Sequence, residues 1–331
     1  MKYAIIIPVF NRPEEIKELL QSLSKQTVTN FEVIIVEDGS SDSAEEIVKS
    51  FSEHLTIRYF YKENAGQSKA RNYGFERAQA DYLIVFDSDC IIPPDYLEII
   101  DFHIRRRELD AHGGPDEAHI SFTPQQKAIN YAMTSIITTA GIRGKMKKLS
   151  SYQARSYNMG FKKEVFEKTG GFRDLPVSED IDLSIRIREA GFKLELIPQA
   201  LVYHKRRNNF KSFFRQTFNF GKGRMNVTRL HPTSFKLVHV LPSGFVLFGI
   251  SLLITAWIDI RFFFFQLALI GLYLTLIFSD SLARNKSPRI ALLSILGVVT
   301  QLSGYGLGYL KEFFLPSLKN KVKTETVLNK E

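Results

Sequence analysis

At 331 residues the chain is long enough for one large domain or two smaller ones. Its net charge of +9 fits a nucleic-acid binder, an enzyme of phosphate-bearing ligands, or a protein lying on anionic membrane. The single cysteine, Cys90, excludes a disulfide framework and makes a reducing compartment the default.

Lys2 to Phe10 reads as a buried strand, and its apolar run meets Pro8 too soon for a signal peptide. The residues ahead of 240 are therefore expected in the cytoplasm. Pro13 suits a first helical position, with Glu14 and Glu15 at the positive helix start. Ile16, Leu19, Leu20 and Leu23 follow at the spacing of a helix laid on a sheet. Phe31 to Val36 is a second strand, ending in Glu37-Asp38-Gly39-Ser40-Ser41-Asp42. Strand, helix, strand in this order implies parallel pairing and a right-handed crossover. Gly39 permits a tight turn, and Ser41 or Ser43 is expected to cap a helix running through Phe51. A carboxylate at the end of a second strand, here Asp38, commonly accepts hydrogen bonds from a nucleoside. No Gly-x-Gly-x-x-Gly follows the first strand and no Walker lysine motif occurs, so neither a dinucleotide fold nor a P-loop is indicated.

Thr56 to Tyr61 is a third strand, and 64–72 leads into a helix carrying Lys69 and Arg71. Either cation faces a phosphate or base, or is a solvated helix charge. Tyr82-Leu83-Ile84-Val85-Phe86 then runs apolar without alternation, as a strand buried on both faces does. It ends in Asp87-Ser88-Asp89. Two carboxylates at the ligand-binding edge of an α/β sheet, with no cation between them, suit Mg²⁺ or Mn²⁺, which keeps positions for phosphate oxygens. The rival reading is an Asx turn capping the next segment.

Ile7-Pro8-Val9-Phe10-Asn11, Glu37 to Asp42, Gly66 to Asn72 and Asp87-Ser88-Asp89 resemble, in order, the successive motifs of family 2 inverting glycosyltransferases with the GT-A fold. That resemblance implies an α/β, Rossmann-like, mostly parallel sheet flanked by helices, and a nucleoside-diphosphate sugar donor. It implies Asp38 at the base, Pro8, Lys69, Arg71 and Asp87 around the donor, and Asp89 on Mn²⁺ or Mg²⁺.

Pro93 to Arg107 reads as a helix and Ala111 to Pro115 as a short edge strand. The stretch 123–150 is weakly periodic, and Ala128 to Ile142 suggests an amphipathic segment near an acceptor or a membrane surface. Ser156 to Phe161 resembles another strand. Ser178-Glu179-Asp180-Ile181-Asp182 opens a helix, with Ser178 as the expected N-cap. Three acids in four positions exceed what a helix dipole asks for. The cluster resembles the Glu-Asp motif of the same family, which puts the catalytic base on Asp180 and Glu179 beside it. A carboxylate there can take the proton that a sugar hydroxyl loses as it attacks. Asp182 reads as a helix-start charge. Leu194 to His204 gives one or two short strands, and His204 is either structural or a third metal ligand.

Residues 209–239 interleave Phe with Lys and Arg, as an interface helix does, and 215–221 depart from the Gln-x-x-Arg-Trp motif of processive synthases. Beyond 240 come 240–258, 262–278 and 290–310, nearly free of charge and at or near the roughly 20 residues that cross a bilayer. Three spans leave the tail, 311–331, on the far side, yet its lysines favour the near side, and Gly304, Gly306 and Gly308 permit close packing or a re-entrant segment. The expectation is a cytoplasmic GT-A domain over 1–208, an interface helix over 209–239 and a multi-pass anchor in the cytoplasmic membrane. It should transfer one sugar, with inversion, to a lipid-linked saccharide in envelope or extracellular polysaccharide synthesis. Membrane lipids are the expected surroundings and nucleic acid is not a partner. Rivals are a processive synthase, a non-catalytic nucleotide-sugar-binding module and an aspartyl-phosphate phosphotransferase with Asp87 as nucleophile.

Overall fold

A computed structural model describes residues 2–139 and 152–317. The end of the amphipathic stretch (140–142), the rest of 143–151 and most of the basic tail (318–331) lie outside the described residues. Two compact units are present: one formed by the described parts of 1–121 and 141–205, the other by those of 122–140 and 206–331. The expected boundary at 208 therefore falls at 205, and the stretch after Ser121 joins the C-terminal helices. Its apolar Ile129, Tyr131, Ala132 and Met133 belong to a cluster with Phe213, Ile277, Val298 and Leu302, which explains the assignment.

The first unit opens with β1 (Tyr3–Val9), α1 (Pro13–Leu23), β2 (Phe31–Asp38), α2 (Glu45–Lys49), β3 (Ile57–Lys62), α3 (Gln67–Arg77) and β4 (Tyr82–Val85). It continues with β5 (Cys90–Ile91), α4 (Tyr96–Arg107), β6 (Ala111–Gly113) and β7 (Asp116–Glu117). The second unit contributes α5 (Pro124–Thr134) and α6 (Ile136–Thr139). The first unit closes with β8 (Met159–Lys162), α7 (Lys163–Thr169), α8 (Glu179–Glu189), β9 (Leu194–Leu196) and β10 (Val202–His204). The main sheet has the order β3-β2-β1-β4-β8-β6-β9. β3, β2, β1 and β4 are parallel and β8 is antiparallel to β4. Uninterrupted Val and Ile runs on β1, β2 and β4 are buried on both faces, beneath α1 and α4 on one side and α3, α7 and α8 on the other.

Some local expectations change. β6 is not an edge strand, because β9 pairs with its outer side. α2 ends at Lys49, before Phe51, and Ala44 stands at its N-cap position, while the Ser43 hydroxyl one residue earlier accepts from the Glu45 amide at 3.1 Å. Ser178 is not a side-chain cap: it adopts a left-handed backbone conformation (φ +68°) that turns its hydroxyl from that task.

In the second unit, α9 (Phe210–Leu230), α10 (Leu241–Ile258), α11 (Ile260–Asn285) and α12 (Pro288–Phe314) follow. The helix expected over 209–239 stops at Leu230, since Pro232 removes a donor, and short 3₁₀ turns fill the remainder. Asn209 caps α9 by accepting from the Ser212 amide at 2.8 Å. Within the 215–221 stretch, Thr217 and Gly221 are buried against α12. α10, α11 and α12 are each long and apolar enough to cross a membrane.

Candidate active site

The strands deliver their polar ends to one edge of the sheet. Asn11, just past β1 with φ +52°, accepts from the amides of Ser41 and Asp42 and so ties the first loop to the second. Glu37 is fully buried and accepts from the Ala44 amide and the Tyr59 hydroxyl at 2.9 and 3.1 Å, fixing the turn after β2. Gly39 sits at φ +74° against Asn64, where a Cβ would stand 2.5 Å from the Asn64 nitrogen. Asp38 is also buried. One oxygen receives Lys62 at 2.6 Å and the Ala65 amide at 3.0 Å, and the other the Gly66 amide at 2.9 Å. In this conformation Asp38 shapes the loop entering α3, and both its oxygens are engaged by the chain.

Arg71, on the buried face of α3, is 1 % exposed. It donates to Asp87 at 2.7 Å and to Glu179 at 2.8 Å, and lies 5.1 Å over the Phe172 ring. Burial alone would push its pKa down, but Asp87 and Glu179 outweigh it and hold the guanidinium above its ordinary value. Arg71 is thus neither a solvated charge nor an open cation; it joins the end of β4 to the start of α8. For Glu179, burial raises the pKa more than Arg71 lowers it, and the neighbouring Asp180 adds to the rise. Gln67 donates to the same Glu179 oxygen at 2.8 Å. Lys69 points away, exposed, and pairs with Asp174 at 3.4 Å. Pro8 is the penultimate residue of β1, where it offers a carbonyl rather than a side-chain donor.

Asp89 is brought to His204 by strand pairing. β10 runs antiparallel to β5 with His204 opposite Cys90, and the Lys205 amide donates to the Asp89 carbonyl at 3.1 Å. His204 Nε2 lies 3.0 Å from Asp89 Oδ1 and 4.0 Å from Asp87 Oδ2. Arg12, from the turn after β1, reaches Asp89 Oδ2 at 2.5 Å. Burial opposes ionisation of Asp89, but His204 and Arg12 prevail and hold its carboxyl well below the usual carboxylate range.

Asp89, Cys90 and His204 form a group close enough to hold one cation. Burial pushes the Cys90 thiol up, so it stays protonated and is a poor ligand for a hard ion. The Asp89 carboxylate and the His204 imidazole remain, with Asp87 Oδ2 4.0 Å from the same ring nitrogen, a set that fits Mn²⁺ or Mg²⁺. His204 Nδ1 is buried without a hydrogen-bond partner among the described residues, and the ring lies 4.6 Å from that of Tyr157.

Asp180, beside Glu179 in the first turn of α8, is held differently. Its Oδ1 accepts from the Ile181 amide at 2.7 Å and its Oδ2 from the Ser156 amide at 3.4 Å. Arg155 approaches Oδ1 at 3.8 Å. Asp182 is fully buried, with Arg173 at 3.1 Å and Arg186 at 2.8 Å. It therefore fastens the loop before α8 and is more than a helix-start charge. Sequence reasoning missed Arg12 and Arg155. Arg12 follows Asn11 in what reads as a plain turn, and Arg155 precedes β8 without a pattern around it.

Comparison with known proteins gives a consistent picture. The model of "Glycosyl transferase family 2" matches residues 4–170, just over half of the 331-residue chain. Glycosyltransferase GlyA of Streptococcus pneumoniae is 41 % identical over 100 residues, which are 30 % of this chain and only 14 % of that protein. Glycosyltransferase AglE of Haloferax volcanii is 28 % identical over 244 residues, 72 % of this chain and 78 % of that one. Among solved structures, a mannosyltransferase from Pyrobaculum calidifontis in complex with GDP-Man and Mn²⁺ superimposes with a TM-score of 0.69 at 15 % identity, covering 96 % of this chain and 88 % of the other. At that identity the likeness is one of fold.

Proposed function

This chain belongs to glycosyl transferase family 2, and from that premise we propose that it transfers a single sugar, with inversion, from a nucleoside-diphosphate sugar to a lipid-linked or membrane-associated saccharide. The observation that carries the reading is the gathering of Asp87, Asp89 and His204 at the sheet edge, joined through Arg71 to the Glu179-Asp180 pair. The mannosyltransferase of similar fold, solved with GDP-Man and Mn²⁺, supports a nucleotide-sugar donor and a divalent ion.

Asp89 and His204, with Asp87 beside them, would hold the cation. Mn²⁺ or Mg²⁺ there would supply neutralising charge for the departing diphosphate. Asp180 takes the proton of the acceptor hydroxyl as that oxygen forms its bond to the anomeric carbon. The carbon–oxygen bond to the diphosphate breaks with its electron pair on the leaving oxygen, and the configuration inverts. The Ile181 and Ser156 amides hold the Asp180 carboxylate in one orientation, so little reorganisation accompanies the proton's arrival. Glu179, bound by Gln67 and Arg71, fixes the start of α8 against the donor side. α10 and α11 suit an acceptor that cannot leave the bilayer, with the first unit cytoplasmic and a role in envelope or extracellular polysaccharide synthesis.

A panel of nucleoside-diphosphate sugars, assayed for hydrolysis and transfer by the detergent-solubilised protein, tests the reading. Release of nucleoside diphosphate from at least one donor, lost in Asp180→Asn, is expected. Donor binding without turnover on any acceptor-bearing membrane would instead favour a binding module.

A further inference from the structure

Three helices of the second unit are apolar enough to cross a membrane, yet their surroundings differ. In their most apolar windows only 6 % and 11 % of α10 and α11 are buried within the protein, against 39 % of α12. α10 and α11 are joined at Asp259, whose carboxylate caps α11 by accepting from Arg261 and Phe262 amides. They run antiparallel: Gln266 reaches back to Ser251 and Thr255 at 2.8 and 2.6 Å, and Phe245 lies in the same apolar cluster as Leu274 and Ile277. Each carries a charge-free run, Leu241 to Ile258 and Phe262 to Ser279. A helix of that length rises about 27 Å, close to the hydrocarbon thickness of about 30 Å.

Two hydrogen bonds that tie α12 to this hairpin lie at the same end of it. Near its start, Ser294 shares a hydrogen bond of 2.7 Å with Ser281, in the last turns of α11. Further on, Ser243 in the first turn of α10 donates to the Gly306 carbonyl at 3.3 Å, and a Cβ on Gly306 would come within 2.3 Å of the Pro242 carbonyl oxygen. From Ser294 to Gly306 a helix rises about 18 Å. A third span following α11 would have used that rise to reach the middle of the hairpin. Instead α12 passes from the end of α11 to the start of α10, across the mouth of the hairpin.

Its other side is covered by helices that hydrocarbon would not accept. Gly297 lies against Ala128 and Ala132 of α5, Gly308 against Phe218 of α9, and Arg229 donates to the Glu312 carbonyl at 2.7 Å. α9 exposes Lys211, Arg215 and Asn219, spaced i, i+4, i+8, and the short polar side chain of Asn219, near the middle of the helix, reaches neither end.

We propose that this chain crosses the membrane twice, through α10 and α11 alone, and that α12 lies in the membrane interface across their near end. Leu292, Leu296 and Val299 on its uncovered face take the acyl boundary. The chain then enters and leaves on one side, and Lys319, Lys321, Lys323 and Lys330 return to the side of residues 1–205. This resolves the conflict between three apolar stretches and a basic tail. The proposal rests on the apolar helices being membrane segments and is independent of the chemistry assigned to the first unit.

Single cysteines in the full-length chain test it, at the exposed Glu53, Thr233 and Arg261 and in the tail: Glu53→Cys, Thr233→Cys, Arg261→Cys and Lys323→Cys. Each is treated with a membrane-impermeant maleimide in sealed vesicles of one orientation, with the buried Cys90 of the parent chain as background. Positions 53, 233 and 323 should label from one face and 261 from the other. Labelling of 323 together with 261 would show that α12 spans. Labelling of 233 with 261 would show that α9 spans, and labelling of all four from one face that the hairpin does not cross; each of these overturns the proposal.

Discussion

Arg71→Met keeps the unbranched stem of a fully buried side chain and deletes its charged head. Glu179, at 4 % exposure, is then left beside Asp180 with Gln67 as its only side-chain donor among the described residues. Asp87, with 28 % of its side chain exposed, can turn to water at lower cost. Removing one partner of a buried pair costs about 3–5 kcal/mol. At about 1.4 kcal/mol per decade this raises the open population about 10² to nearly 10⁴-fold. Cys90 reads that opening directly, because it is the sole thiol, is buried and adjoins Asp89. Its rate of modification in purified protein should rise by that factor. The pH dependence has a definite sign. Burial already raises the Glu179 pKa and the loss of Arg71 raises it further, so the folded variant holds this proton more tightly than the unfolded chain. The penalty is therefore full above that raised pKa and fades as pH falls through it. In Arg71→Met/Glu179→Gln no charge is stranded at position 179, and Cys90 should react more slowly than in the single variant. A single variant within tenfold of the parent, or a double variant that reacts faster than it, refutes this account of the Arg71 bridge.

Asp180→Asn should lower single-turnover transfer about 10² to 10⁴-fold with donor affinity retained; a near-parental rate removes Asp180 as the base. Asp182→Asn should do the opposite, costing about 3 kcal/mol or more in denaturant unfolding while the folded fraction keeps its turnover. Asp89→Asn should weaken Mn²⁺ binding read by electron paramagnetic resonance, and an unchanged affinity would eliminate the proposed cation site. His112, buried between the hydroxyls of Tyr82 and Tyr96, has its pKa pushed down from 6.5 to about 3 by burial. The unfolded chain binds that proton first, so stability should fall from pH 6.5 towards 3 by up to about 1.4 kcal/mol per unit. His112→Gln should flatten that slope in urea melts, and an unchanged slope assigns it to other groups.

The sequence alone determined the parallel half of the sheet, since β1, β2 and β4 are apolar without alternation and only strands covered on both faces tolerate that. It also determined that Asp38, Asp87 and Asp89 end up at one edge, because each stands at or just past the end of a parallel strand. Local pattern reports how much of an element is buried, and here it was enough. It does not report what the buried face touches. The pairing that sets His204 beside Asp89 joins segments more than a hundred residues apart through two very short strands, with no periodicity to announce it. Arg71 reads as a helix cation until Asp87 and Glu179 close around it, and Asp182 as a helix-start charge until Arg173 and Arg186 do. α12 is the sharpest case. Lipid and protein interior are equally apolar, so composition gives the same signal for a span and for a helix covered by its neighbours, and our proposal that α12 is the latter rests on tertiary contacts at Ser294, Gly306 and Gly308 that no local pattern carries.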